Sequence, residues 1–367
     1  MRASHGLVIG KFYPPHAGHA LLVRAAASAC ERVTVVAMAA SVESIPLALR
    51  VAWLREIHGA DANVTVTGIA DDVPVDYTDA GVWSAHVALM RQAVRGVTPL
   101  PVDAVFSSEA YGDELGRRLG ARHVAIDPRR ELTSVSGTGV RADPVAHWGL
   151  LAPCVRGWLA RRIVIVGAES TGKTTLALVL AQRLRERAGA LGETRAVPEY
   201  GREYTVDKLA AARAQAGVAG QAAPAIEQLR WSAPEFVAIA RRQQQLEQQA
   251  ARLGGPIVVC DTDAFATAIW HERYLGTRSA DLEAMADPRA GRLYLLTHHD
   301  DVPFVQDGMR DGEAIRAAMT ARFVERLDQT GRRWQWLRGG RAEREQAAFA
   351  GAERVLADGW QFAAPLG

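Results

Sequence analysis

Gly167-Ala168-Glu169-Ser170-Thr171-Gly172-Lys173-Thr174 decides the fold. It fits G-x-x-x-x-G-K-[ST], a phosphate-binding loop, and its flanks supply the context that pattern needs. Before it, Arg161-Arg162-Ile163-Val164-Ile165-Val166 is a short β-branched apolar run, the signature of a buried strand. After it, Thr175 to Ala181 is rich in Leu and Ala and suits a helix. Strand, loop and helix follow in order. Gly167 and Gly172 let the backbone wrap an anion with N–H groups pointing inward, and the helix adds its positive end. The pattern therefore predicts an ATP site from Gly167, Glu169, Ser170, Thr171, Gly172, Lys173, Thr174 and Thr175. In it Lys173 reaches the β- and γ-phosphates and the Thr174 hydroxyl takes Mg²⁺.

A phosphate loop usually opens its domain, yet 166 residues precede Gly167. A second folded unit is expected there. At about 150 residues per domain, 367 residues give two. Basic residues number 43 and acidic ones 41, a net charge of +2, so bulk electrostatics favour neither nucleic acid nor membrane. Cys30, Cys154 and Cys260 are sparse and odd in number, which suggests a reducing compartment without a disulfide framework. No apolar run reaches membrane-spanning length, and Lys11, Pro14 and Pro15 come too early for a signal peptide. A cytoplasmic location is expected, and composition leaves a homo-oligomer open. Only three lysines occur, Lys11, Lys173 and Lys208, and two of them fall in phosphate motifs. A flexible point charge suits a phosphate there.

Leu7-Val8-Ile9 reads as a strand running into Gly10-Lys11-Phe12-Tyr13-Pro14-Pro15-His16-Ala17-Gly18-His19, with a helix expected from Ala20 to Ala29 and a strand from Val33 to Ala39. This is the opening of a doubly wound α/β domain, whose ligands gather at strand carboxyl ends. The His16/His19 pair lacks a third residue of metal-ligand spacing and reads as anion recognition at a helix start.

Gly10 to His19 resembles the G-x-F-x-P-x-H-x-G-H signature of the nucleotidyltransferase superfamily, and Val135-Ser136-Gly137-Thr138-Gly139-Val140-Arg141 resembles its second signature, I-S-x-T-x-[IV]-R. Phe106-Ser107-Ser108-Glu109-Ala110-Tyr111-Gly112 and the Asp127 to Arg130 stretch are similar to segments of NadR-type enzymes, which join nicotinamide mononucleotide adenylyltransferase to ribosylnicotinamide kinase. That likeness continues through Arg156 and the phosphate loop to Asp311. Gly139 stands where the family's second motif often carries Lys. Many NadR proteins begin with a helix-turn-helix domain, and here the first strand starts almost at Met1.

The resemblance implies two doubly wound α/β domains: a Rossmann-like nucleotidyltransferase over 1–157 and a P-loop kinase over 158–367. It implies adenylyl transfer in which His16, His19 and Lys11 meet the reacting phosphates. Gly10, Phe12, Ser136, Thr138 and Arg141 would hold ATP, and Trp83 would either stack on the nicotinamide ring or pack in the core. The expected small molecules are nicotinamide riboside, nicotinamide mononucleotide, ATP and NAD, with Mg²⁺ and without nucleic acid or membrane.

In the second domain, Arg195 to Pro198 leads into a charged loop, Glu199 to Tyr204, and Pro256 to Cys260 is a strand ending at Asp261-Thr262-Asp263. A carboxylate at such a strand end serves Mg²⁺ in phosphate-loop enzymes, which selects Asp261. Asp263 is either a helix N-cap or a substrate ligand. Glu199 is the candidate base for the acceptor hydroxyl by analogy with nucleoside kinases, with Asp261 and Asp263 as rivals, and Arg202 is assigned to substrate. The Gln243 to Gln245 run in the helical region from Pro234 to Leu253 reads as a solvated face, and Gln243 is a further substrate candidate. Asp307-Gly308-Met309-Arg310-Asp311 resembles the D-G-x-R lid of ribosylnicotinamide kinases, with Arg310 closing over the phosphoryl group. No motif after about Glu325 carries chemistry. Two other readings share these motifs: a pantetheine-phosphate adenylyltransferase fused to a dephospho-CoA kinase, and a nucleotide-sensing regulator with degenerate sites.

Overall fold

The computed structural model describes residues 2–286, 291–308, 310 and 312–366. The chain divides into two compact units, Met1–Val155 with Trp360–Gly367, and Arg156–Gly359. The sequence reading put everything after residue 157 in the second domain. In the structure the chain from Trp360 on belongs with the first unit instead.

The first unit alternates strand and helix: β1 (Ala3–Gly10), α1 (Ala17–Ala29), β2 (Cys30–Ala39), α2 (Leu47–Ile57), β3 (Val64–Ala70), α3 (Ala80–Arg95), β4 (Ala104–Ser107), α4 (Tyr111–Leu119), β5 (Arg122–Ala125) and α5 (Gly137–Ala142). Its sheet runs β3-β2-β1-β4-β5, every neighbouring pair parallel. Parallel strands covered on both faces are apolar throughout. Val33 to Ala39 is accordingly buried without a break. Val8, Val35 and Phe106 pack with α1 residues Leu22 and Val23 on one face. Leu7, Val36 and Val105 pack with α3 residues Val87 and Met90 on the other. The strand order reverses between β1 and β4, where β1 has β2 on one side and β4 on the other. A crevice opens at such a point, at the strand carboxyl ends.

The helix α6 (Pro153–Leu159) spans the division. The second unit continues with β6 (Arg161–Val166), α7 (Lys173–Arg185), β7 (Arg195–Val197), α8 (Tyr200–Val218), α9 (Ala233–Leu253), β8 (Ile257–Asp261), α10 (Ala264–Leu275), α11 (Ala280–Met285), β9 (Arg292–Thr297), α12 (Arg316–Gln329), β10 (Trp334–Leu337) and α13 (Arg341–Ala357). Its parallel sheet runs β10-β9-β6-β8-β7, with β6 at the centre. Ile163, Ile165, Val259 and Leu295 from three adjacent strands form the core with Leu176 and Leu180 of α7 and Ala348 and Ala352 of α13. The loop after β6 therefore emerges from the middle of the unit.

One stretch differs from the sequence reading in kind. Glu199 to Tyr204 is not a charged loop: Glu199 holds the N-cap position of α8, and Tyr200 opens the helix, two residues separating it from β7. Tyr, Arg and Glu are tolerated in a helix, and no Gly–Pro breaker separates them from the Ala-rich run that follows.

Candidate functional sites

The loop after β6 encloses an anion-sized cradle. Gly167 has φ 145°, Ser170 57° and Gly172 80°, so three residues adopt backbone conformations that turn successive N–H groups one way. A Cβ on Gly167 would stand 2.2 Å from Thr297 Oγ1, so only glycine fits where β9 crosses the loop. Thr171 Oγ1 and Thr297 Oγ1 are hydrogen bonded at 2.7 Å, and Thr171 Oγ1 also donates to Ala168 O. Lys173 donates to Ala168 O at 2.9 Å. Thr174 Oγ1 donates to Asp261 Oδ2 at 2.5 Å, while Asp261 Oδ1 is buried without a hydrogen-bond partner. A hydroxyl and a carboxylate in contact, one oxygen unsatisfied, form an oxygen donor set that fits Mg²⁺.

A cavity of about 220 Å³ extends from this cradle and is lined by all of the loop from Glu169 to Thr175, by Glu199 and Arg202, and by Arg310. Its other end is aromatic: Trp231, Phe236, Trp270 and Tyr274. Trp231 lies 5.3 Å from Phe236 and 5.5 Å from Tyr274, ring centre to ring centre. Burial raises the Glu199 and Asp261 carboxyls above the ordinary range, Lys173 opposes both shifts, and Asp261 adds to that of Glu199. Such opposed environments mark acid–base sites.

Val305 and Arg310 are docked on the loop. Ser170 Oγ accepts from Val305 N and from Arg310 Nη1, each at 2.9 Å, and Asp307 pairs with both Arg310 and Arg202. Met309 and Asp311 of that motif lie outside the described residues. Two arginines that sequence reasoning missed brace the same loop. Buried Arg344 of α13 donates to Thr171 O at 3.0 Å, and buried Arg316 donates to Val302 O and Ser170 O. With only three lysines among 43 basic residues, neither arginine carries a local signal.

Asp263 and Gln243 do not reach this cavity. Asp263 caps α10 through Ala266 N, and its other oxygen accepts from Tyr294 Oη at 2.7 Å and Arg292 at 3.2 Å. Thr262 has φ 70°, which turns the chain after β8 and aims Asp263 away from Asp261. Gln243 is 1% exposed and so leaves the solvated face that Gln245 keeps; its Oε1 accepts from Tyr200 N and fixes the start of α8.

In the first unit a cleft of about 360 Å³ opens at the carboxyl end of β1. Gly10, Lys11, His19, Ser136, Thr138 and Arg141 line one part of it, and Tyr77, Trp83 and Tyr111 another. The two signatures, more than a hundred residues apart, are thus brought to one cleft. Ser136 caps α5 by accepting from Gly139 N, and Arg141 bridges the motifs by donating to Tyr13 O at 2.7 Å and to Thr138 Oγ1. His16 and His19 stack with ring centres 3.7 Å apart. Gly18 makes room, since a Cβ there would stand 3.2 Å from the His16 ring. His19 Nδ1 accepts from His16 N, which puts the proton of a neutral ring on Nε2. Burial, then Arg130 and His147, lowers His16 to about 4; burial, His16 and Arg130 hold His19 well below its usual value. Both rings are therefore neutral at pH 7, and His19 offers Nε2–H as a donor.

His19 lines the cleft, whereas His16 stands behind it. Phe12 is 1% exposed and packs against His19, 4.9 Å between ring centres, and it too forms part of the cleft wall. Trp83 packs in the core at 8% exposure and also forms part of the cleft wall, its Nε1 donating to Tyr77 O at 3.1 Å. Sequence reasoning also missed Arg50, fully buried, which pairs with Glu43 at 2.6 Å and donates to Lys11 O, holding the first signature from beneath.

Two parallel α/β units, one built around a phosphate loop, define a P-loop kinase fold beside a Rossmann-like nucleotidyltransferase fold. Comparison with known proteins is specific: the chain is homologous to NadR. It is 25% identical to the trifunctional NAD biosynthesis/regulator protein NadR of Escherichia coli (strain K12) over 342 residues, 88% of this chain and 76% of that protein. It is 25% identical to the protein of the same name from Salmonella typhimurium, over the same shares of each chain. The AAA-domain family profile matches residues 162–344. Among solved structures, a NadR protein in complex with NR superposes with a TM-score of 0.72 at 18% identity over 99% of each chain. Another, in complex with NAD and AMP-PNP, gives 0.69 at 20% over 96% of each. No helix among the described residues is long and apolar enough to cross a membrane.

Proposed function

We propose that this protein is a bifunctional enzyme of pyridine nucleotide salvage, with domains at about 1–157 and 158–367 whose last residues return to the first unit. The kinase half phosphorylates nicotinamide riboside with ATP, and the transferase half adenylylates nicotinamide mononucleotide to NAD with release of pyrophosphate. The observation that carries this is the cavity of the second unit, which joins a phosphate loop at one end to four aromatic rings at the other. Such a cavity suits a nucleoside with a flat, cationic base, which aromatic faces attract. Homology to NadR supports the same reading.

In the kinase, Lys173 and the loop amides hold the transferring phosphoryl, and Arg310 closes over it from Ser170. Thr174 and Asp261 would hold Mg²⁺, which would supply neutralisation of phosphate charge. Glu199, between the loop and the aromatic end, takes the proton of the ribose hydroxyl as that oxygen bonds to the γ-phosphorus and the bond to the β-phosphate oxygen breaks. Arg202 orients the acceptor. In the transferase, the mononucleotide phosphate attacks the α-phosphorus of ATP and pyrophosphate leaves. His19 donates from Nε2, while Lys11, Ser136, Thr138 and Arg141 stabilise the developing charge, so catalysis is positioning plus electrostatics. His16 orients His19. Trp83 walls the base end.

The deciding experiment supplies nicotinamide riboside, ATP and Mg²⁺ and follows the mononucleotide and NAD over time. The mononucleotide should rise first and NAD after it, and EDTA should stop both. Turnover of 4′-phosphopantetheine or dephospho-CoA in place of the riboside would overturn the reading.

A further inference from the structure

Trp231 has a position that its own backbone does not explain. It lies between a short 3₁₀ turn, Ile226–Gln228, and α9, in residues 229–232 that belong to no helix or strand. Its ring nevertheless forms part of the aromatic end of the cavity. A loop side chain without ladder hydrogen bonds is held only by its neighbours' side chains.

Besides the rings of Tyr204, Phe236 and Tyr274, Lys208 contributes to that hold. It lies on α8, one turn beyond the cavity-lining Thr205, and is itself absent from the cavity wall. Its ammonium does three things at once. It donates to Arg230 O, the carbonyl just before Trp231, at 2.5 Å. It pairs with Glu235 Oε1, four residues after Trp231, also at 2.5 Å. It stands 4.2 Å from the centre of the Trp231 ring. Glu235 in turn accepts from Ser232 N and Oγ through its second oxygen, and Tyr204 Oη adds a bond at 3.2 Å. The segment around Trp231 is thus clamped before, after and on the ring by one cation.

We propose that Lys208 is a positioning residue for the acceptor end of this cavity, fixing Trp231 as a rigid wall against which a flat heteroaromatic base stacks. The proposal rests on the cavity being an acceptor site. Lys208 is not part of the cavity wall, and Glu235 neutralises its ammonium, so it does not repel a cationic base. A wall fixed in advance spares the ligand the cost of ordering it, and that cost appears in acceptor binding, not in phosphoryl transfer.

The test uses full-length Lys208→Met and Lys208→Arg proteins. Initial rates are measured with nicotinamide riboside and ATP varied separately, and amide hydrogen exchange is followed over residues 229–232. Lys208→Met should raise KM for the riboside about tenfold while kcat, KM for ATP and NAD formation from supplied mononucleotide stay within about twofold. Exchange at 229–232 should quicken, Ser232 most, and Lys208→Arg should recover most of both effects. An unchanged riboside KM in a folded Lys208→Met protein overturns the proposal, as does an equal rise in both KM values, which general loosening of the unit would cause. If the wild-type protein phosphorylates no pyridine riboside, the proposed function fails; the exchange data then still decide the clamp, unchanged exchange at 229–232 refuting it.

Discussion

The ammonium of Lys11 donates to the main-chain oxygen of Leu366, 355 residues further along the chain. The segment bearing Leu366 is tied down at other points too. Tyr13 Oη donates to Ala363 O at 2.9 Å, Ala363 N donates to Ser44 Oγ at 2.6 Å, and Pro365 and Leu366 form part of the cleft wall. A carbonyl therefore occupies the cation that the first signature offers to a phosphate. Deleting residues 363–367, with Trp360 to Phe362 kept, should leave Lys11 facing only Glu43, 3.6 Å away, and lower the transferase KM for ATP about fivefold, the equivalent of one hydrogen bond of ~1 kcal/mol. A higher KM would show that the segment completes the cleft instead.

The two activities should be separable by single substitutions, because Lys173 and His19 line different cavities. Lys173→Ala removes the charge on the transferred phosphoryl and should cost the kinase about 10²–10³ in kcat while NAD formation from supplied mononucleotide continues. His19→Ala should consume nicotinamide riboside and accumulate the mononucleotide. Assaying each variant on each substrate, with melting curves as control, checks this. Loss of both reactions in one folded variant would exclude two independent sites.

His16 makes the first unit sensitive to acid. Its pKa is lowered from 6.5 to about 4 in the fold, chiefly by burial. Between those values the unfolded chain binds a proton that the folded one does not, so stability falls as pH drops below 6.5 and the loss is complete below about 4. The full effect is about 3 kcal/mol. His16→Gln should reduce the slope of this part of the stability–pH curve, His19 keeping its own share, read by denaturant unfolding at pH 7, 5.5 and 4. An unchanged slope would mean the ring is already protonated in the fold.

Trp83 should show two effects together. Trp83→Ala opens the core on one side and the cleft on the other, so it should lose about 3–5 kcal/mol of stability and raise the transferase KM for the mononucleotide. Trp83→Phe keeps an aromatic face and loses the bond to Tyr77 O, which should cost only about 1 kcal/mol and leave KM within a few fold. If both variants lose stability with KM unchanged, the ring is core alone.

What the sequence by itself determined is everything carried by contiguous residues. Strand–loop–helix units are local objects, set by periodicity, glycine and capping, so the phosphate loop after β6, the histidine loop after β1 and the alternating α/β order were all legible. So was the likeness of two distant signatures to one family, because motif spacing survives in one dimension.

Only the tertiary structure decided which residues meet. Asp261 read as the Mg²⁺ carboxylate and Asp263 as an N-cap or a substrate ligand; with Thr262 at positive φ between them, one meets Thr174 and the other caps α10 and meets Arg292 and Tyr294. Gln243 read as solvent-facing, yet the packing of α9 behind β7 and β8 buries it. Arg50, Arg316 and Arg344 brace the loops of both sites from elements distant in sequence, and Lys208 reaches Trp231 across 23 residues by a helix and a turn. The return of Leu366 to Lys11 has no sequence trace at all. These contacts depend on strand order and helix packing, which bring together side chains whose local sequences carry no sign of one another.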